Sequence, residues 1–122
     1  MRLYLSGPMT GLPDHNRAAF AAATTRFRDL GHFVINPAEL SEQFGKWEDV
    51  SIAFEKWYEY GGALADEFLR IVMAVMQADI AALRSCDAIY LLRGWETSRG
   101  AKKELAEAIA HGLTIMQEGD AT

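Results

Sequence analysis

The sequence predicts a doubly wound α/β sandwich, a single domain with a parallel sheet of about four strands in the order 2-1-3-4. Three observations predict it. Short apolar runs alternate with segments of helical spacing along the chain. The strand-like runs are apolar throughout rather than on alternate residues, as in strands covered on both faces. A chain of 122 residues, half of them hydrophobic, is long enough for one core but not for two.

Arg2 to Ser6 reads as a buried first strand stopped by Ser6-Gly7-Pro8. After the loop Gly7 to Asp14, the segment Asn16 to Leu30 sets Phe20, Ala23, Phe27 and Leu30 at helical spacing, with Gly31 as its stop. His32 to Asn36 is the second strand, ended by Asn36-Pro37. In the polar and aromatic segment that follows, Trp47, Val50, Phe54, Trp57 and Tyr58 keep helical spacing up to Gly61-Gly62. A long helix runs from Ala63 to about Arg84, then a third strand from Asp87 to Leu92 and a loop from Gly94 to Gly100. The helix Ala101 to His111 and a last strand, Leu113 to Met116, follow, and the tail after Gln117 is expected to be disordered. In the order 2-1-3-4 the crossovers leave the first strand in opposite directions. A ligand is therefore expected beyond the carboxyl ends of strands one and three, between the loops Gly7 to Asp14 and Arg93 to Gly100.

The formal charge of −5, with basic residues scattered among acids, argues against a nucleic-acid polymer as partner and leaves room for a small anion. The single cysteine, Cys86, builds neither an intramolecular disulfide nor a cysteine-rich metal site, which suits a reducing cytoplasm. No leader pattern opens the sequence and no apolar run reaches the length of a membrane span, so no membrane partner is expected. His15, His32 and His111 are dispersed and read as caps or surface residues, and neither a metal nor another cofactor is expected.

Several residues carry possible chemistry. Gly7-Pro8-Met9-Thr10-Gly11, beside Ser6, is either an ordinary strand-to-helix turn or a cradle in which successive N–H groups converge on a phosphate or sugar. Thr97-Ser98-Arg99-Gly100 opens the last helix, with Ser98 as N-cap and the free amides of the first turn as an anion site. Glu104 projects beside Gly100, Ala108 and His111, at the edge of the stripe Ala101, Leu105, Ala108 and Ile109. It either borders the cleft or pairs with Lys102 or Lys103. Asp79 shares its helix face with Val72, Val75, Met76 and Leu83, where an unpaired carboxylate is costly; it is a polar anchor or a group tuned for proton work. Trp95 offers a ring for stacking on a base and Tyr4 a hydroxyl for a carboxylate, unless both simply pack. The aromatic stretch Phe44 to Tyr60 is a lid, a subunit surface or plain cover for the sheet.

Taken together, Leu5-Ser6-Gly7-Pro8-Met9-Thr10-Gly11, Asn36-Pro37-Ala38-Glu39, Asp79 with Cys86-Asp87, and Gly94-Trp95-Glu96-Thr97-Ser98-Arg99-Gly100-Ala101 with Glu104 resemble a family common in phages and prophages. That family is itself similar to the nucleoside 2-deoxyribosyltransferase superfamily, which includes deoxynucleoside 5′-monophosphate N-glycosidases. The resemblance spans nearly the whole chain except Leu40 to Asp66. It implies one nucleoside 2-deoxyribosyltransferase-like domain over residues 1–122. It also implies hydrolysis of the N-glycosidic bond of a nucleoside 5′-monophosphate through a covalent glycosyl-glutamate intermediate. By this resemblance Glu104 attacks the anomeric carbon, Asp79 contacts the sugar or base and assists departure, and Tyr4 orients the nucleophile. Ser98 and Gly100 match a loop that holds the 5′-phosphate, and Gly7, Met9, Thr10 and Gly11 a loop around the sugar and phosphate. Ser6, Asn36 and Trp95 complete the expected substrate-binding set. The resemblance further implies a homodimer or higher homo-oligomer, cytoplasmic in a bacterial cell or phage-infected host. A deoxyribosyltransferase with the same residues is one alternative; a nucleotide-binding and sensing module of phage origin that cleaves nothing is another.

Overall fold

In the computed structural model, β1 (Arg2–Ser6), β2 (Phe33–Ile35), β3 (Ala88–Leu91) and β4 (Thr114–Gln117) form a parallel sheet in the order β2-β1-β3-β4. Residues 1–9, 11–60 and 66–119 are described; the side chains of Trp47, Glu48, Ser51 and Tyr58 lie outside the description. So do Thr10, the expected break at Gly61-Gly62 and the first residues of the helix expected from Ala63.

The register pairs Leu3 with Val34 and Ala88, and Tyr4 with Ile35 and Ile89. Strand geometry sends successive side chains to opposite faces, and both faces of β1 are covered. Leu3 and Leu5 pack with Phe20, Phe27, Val34 and Tyr90 on the side of α1 (Arg17–Asp29). Tyr4 packs with Leu83, Ile89, Leu91 and Ala108 on the other side, against α4 (Asp66–Arg84) and α5 (Arg99–Ala110). Burial on both faces explains why the central strands read as unbroken apolar runs. It also places Tyr4 and Ser6, two residues apart, toward the layer that carries α4 and α5. Between β2 and α4 lie the short helix α2 (Pro37–Ser41) and α3 (Trp47–Tyr60).

Several boundaries depart from the sequence expectations for local reasons. The stretch expected as a loop up to Gly100 holds a 3-10 turn at Trp95–Thr97, and α5 begins at Arg99 because the Ser98 hydroxyl caps it by accepting from the Ala101 amide at 3.1 Å. Ile109 is 63% exposed, so the apolar stripe of α5 narrows to Ala101, Leu105 and Ala108. The expectation of disorder directly after Gln117 is corrected at Glu118, whose amide donates to the Leu91 carbonyl at 2.9 Å and whose carboxylate accepts from the Arg93 amide at 2.8 Å. Gly7 is required by packing: a Cβ there would stand 2.7 Å from the Leu92 Cβ. Among the described residues, no helix is long and apolar enough to cross a membrane.

Candidate active site

A cavity of about 440 Å³ opens where the loops after β1 and β3 diverge, the position at which doubly wound sheets bind ligands. One wall is Gly7, Pro8, Met9 and Leu12; another is the start of α5, from Thr97 to Ala101 with Lys103 and Glu104. Val50 and Phe54 of α3 and Val75, Met76, Asp79 and Ile80 of α4 supply a mainly apolar remainder. Pockets of this kind, apolar with a few convergent polar groups, are typical small-molecule sites.

Glu104 is the best-held polar group in it. The Tyr4 hydroxyl donates to its Oε2, and the Ser6 hydroxyl donates to its Oε1 at 2.7 Å. Both donors come from β1 and both are buried, so the strand alternation that hides Tyr4 and Ser6 under the helices also fixes the carboxylate. Burial raises the Glu104 pKa to about 7 although the hydrogen bonds from Tyr4 and Ser6 pull it down. Asp79 contrasts with it. Its Oδ1 is buried and, among the described residues, finds no hydrogen-bond partner. Burial first, and the nearby Glu104 charge second, raise its pKa to about 8. Burial and the same two carboxylates push the Tyr4 phenol well above its ordinary value. Two carboxyl groups in one poorly solvated cavity resist being ionised together, so near neutral pH one of them keeps a proton. The structure thus brings a carboxyl group held by two hydroxyls and a second, buried carboxyl group to the same cavity, and such a pair can serve displacement at carbon with protonation of a leaving group.

The expected residues separate into three groups. Gly7, Met9, Asp79, Ser98, Gly100 and Glu104 line the cavity. Tyr4 and Ser6 are not among the lining residues and meet the cavity through Glu104, to which both hydroxyls donate. Asn36, Trp95 and Gly11 are not among the residues that line this cavity. Asn36 is buried and caps α2, its Oδ1 accepting from the Ala38 amide at 2.9 Å. Trp95 packs against the core that holds Tyr4 and Leu91, and its indole N–H donates to Gln117 Oε1 at 3.3 Å. Gly11 is exposed with φ 86°, a turn position. Thr10 lies outside the described residues.

Several lining residues were not singled out as site residues. His15, read as a cap or surface residue, lines the cavity, as do Arg99, Lys103 and Phe54. Lys103 is not the partner of Glu104, which is held by hydroxyls. The i,i+4 spacing of Arg99 and Lys103 on α5 was the available signal for two cations on one helix face. Among the described residues, no group of three or more His, Cys, Asp or Glu could hold a metal ion.

Comparison with known proteins adds two findings. The family described as "Domain of unknown function (DUF4406)" matches residues 1–73 and 63–117. A 2-deoxyribosyltransferase from the psychrotolerant bacterium Bacillus psychrosaccharolyticus has a similar structure, with a TM-score of 0.66 and 21% identity over 100% of this chain and 77% of that one. At that identity the likeness establishes a shared fold. No curated protein sequence matches.

Proposed function

The chain belongs to the DUF4406 family, and from its cavity we propose that it hydrolyses the N-glycosidic bond of a nucleoside 5′-monophosphate. The observation that carries the reading is the carboxyl pair: Glu104 fixed by Tyr4 and Ser6, lining a cavity shared with Asp79, whose buried Oδ1 has no hydrogen-bond partner among the described residues. The structurally similar Bacillus protein, a 2-deoxyribosyltransferase, supports the choice of a glycosidic bond over other electrophiles.

The reaction proceeds in two displacements. Ionised Glu104 attacks the anomeric carbon as the bond to the base nitrogen breaks. The bonding pair leaves with the base, and the protonated Asp79 carboxyl supplies the proton. The result is an ester between Glu104 and the sugar. Water then attacks the same carbon, ionised Asp79 takes its proton, and the ester bond breaks to restore the Glu104 carboxylate. Tyr4 and Ser6 aim the nucleophile and favour its departure as a carboxylate in the second step. The phosphate rests on the first turn of α5, where Ser98, Arg99, Gly100 and Lys103 line the cavity and the helix terminus favours an anion. In a doubly wound fold, that helix start lies across the site from the loop after β1, leaving the sugar between phosphate and carboxylates.

Incubation with ribo- and deoxyribonucleoside 5′-monophosphates, followed by chromatography for free base, tests the proposal. Base release that vanishes in Glu104→Gln while nucleotide binding persists is the expected result; full turnover by that variant sinks the assignment. An added acceptor base separates a transferase from a hydrolase, because only the transferase makes a new nucleoside. Saturable nucleotide binding without any product would identify a sensor instead.

A further inference from the structure

We infer that His15 is a positioning residue for the ceiling of the cavity: together with Glu55 it clasps α3 over the site and so sets how tightly a ligand is held. The inference rests on the proposed reaction only for its kinetic consequence.

Three observations meet at His15. It lines the cavity, as does Phe20 of α1. Its Nε2 lies 3.1 Å from Glu55 Oε1 on α3, with the imidazole 15% exposed and the carboxylate 54% exposed. The adjacent α3 residue, Phe54, and Val50 one turn earlier form part of the cavity wall. The pair therefore joins the segment after β1 to the helix whose Val50 and Phe54 line the cavity.

The backbone bears a cost for this placement. Asp14, His15 and Asn16 have φ of 49°, 51° and 62°, and three successive residues with side chains in the left-handed region are disfavoured by about 1–2 kcal/mol each. Asn and Asp tolerate that region better than His does. The turn is held by the His15 amide donating to the Leu12 carbonyl at 3.0 Å and by the Asn16 side chain donating to the Pro8 carbonyl at 3.0 Å. A conformation that favours glycine, occupied by histidine, is retained where the side chain has a task. The two roof residues are apolar, and they face a cavity with few polar groups. Held in place, α3 keeps water from the leaving base while the carboxyl pair performs the chemistry. Loosening the roof weakens ligand retention and leaves the reacting groups in place.

Hydrogen–deuterium exchange of the full-length protein tests the clasp without any ligand. His15→Gly suits the observed φ and removes the side chain; Glu55→Ala removes the partner from an exposed position. Each is expected to speed exchange of the α3 amides by about threefold or more, with α1 and the sheet unchanged. His15→Gln, which keeps an N–H donor, should restore protection. The double variant should lose less protection than the two single losses sum to, since the His15–Glu55 contact is common to both. On the nucleotide that the wild type cleaves, both single variants should raise KM with kcat within about twofold. Unchanged α3 exchange in Glu55→Ala, or full additivity in the double variant, overturns the clasp. Should His15→Gly fail to fold, Glu55→Ala decides alone. A wild type that cleaves no nucleotide sinks the proposed reaction, and the exchange comparison still decides the clasp.

Discussion

Tyr4 and Ser6 each donate a hydrogen bond to Glu104, and both bonds favour its ionised form against the burial that opposes it. Tyr4→Phe removes one of them, so the Glu104 pKa rises above about 7. The acidic limb of the kcat/KM profile should move to higher pH; a limb that stays in place or moves down contradicts the assigned role. Asp79 makes a separate prediction about stability. Its folded pKa of about 8 exceeds its ordinary value of 3.8, so across that window the folded chain holds a proton that the unfolded chain releases. Stability is fullest below the window and declines as pH rises through it. Asp79→Asn should therefore stabilise the fold more at pH 8 than at pH 5, by about 2 kcal/mol or roughly 6–10 °C in Tm. Thermal melts at the two pH values check this, and a gain confined to pH 5 reverses the sign. Asp79 was legible because a carboxylate interrupts a helical apolar stripe. The Tyr4 hydroxyl was matched to a carboxylate from residue type alone, whereas the place of Ser6 needed the strand parity and α5 together. His15 was misread because nothing in its neighbours announces three left-handed residues in succession.

At the scale of the elements, the close approach of the β1 loop to the end of β3 depends on Gly7. Gly7→Ala places a methyl group 2.7 Å from Leu92 Cβ, and relieving that overlap should cost about 1–3 kcal/mol. Denaturant melts of Gly7→Ala, Leu92→Gly and the double variant test it: removing the Leu92 Cβ relieves the overlap, so the double variant should be more stable than the sum of the two losses predicts. Simple additivity would mean that the two sites do not meet. The strands were readable because burial on both faces leaves continuous apolar runs, and α5 because Ser98 has the chemistry of a cap. Asn36 was read as a ligand contact, but the following Pro37 makes it the cap of a short helix. Trp95 was ambiguous in the same way: a tryptophan in a loop near the switch point can face the ligand or the core, and the fold packs it against the cluster that holds Tyr4 and Leu91.

For the molecule as a whole, the strand order followed from connections alone. Short parallel strands joined by right-handed crossovers leave few arrangements, and the cavity lies where that order reverses direction. The roof was less accessible. The spacing of Val50, Phe54 and Trp57 marks a helix but does not say which surface it covers, because that depends on how α2 and α4 turn the chain. The two cations Arg99 and Lys103 at the cavity wall within an acidic protein show the limit of net charge as a guide. A local anion site is compatible with a formal charge of −5.

The central claim is that Glu104 forms a bond to the sugar. Rapid acid quenching of the protein during turnover of the nucleotide that it cleaves, followed by peptide mass mapping, tests that directly. The account predicts a transient mass increment of one sugar phosphate less water on the peptide containing Glu104, formed as base is released and absent from Glu104→Gln. Base release with no adduct on that peptide during a resolved first turnover, or an adduct on another residue, would contradict it.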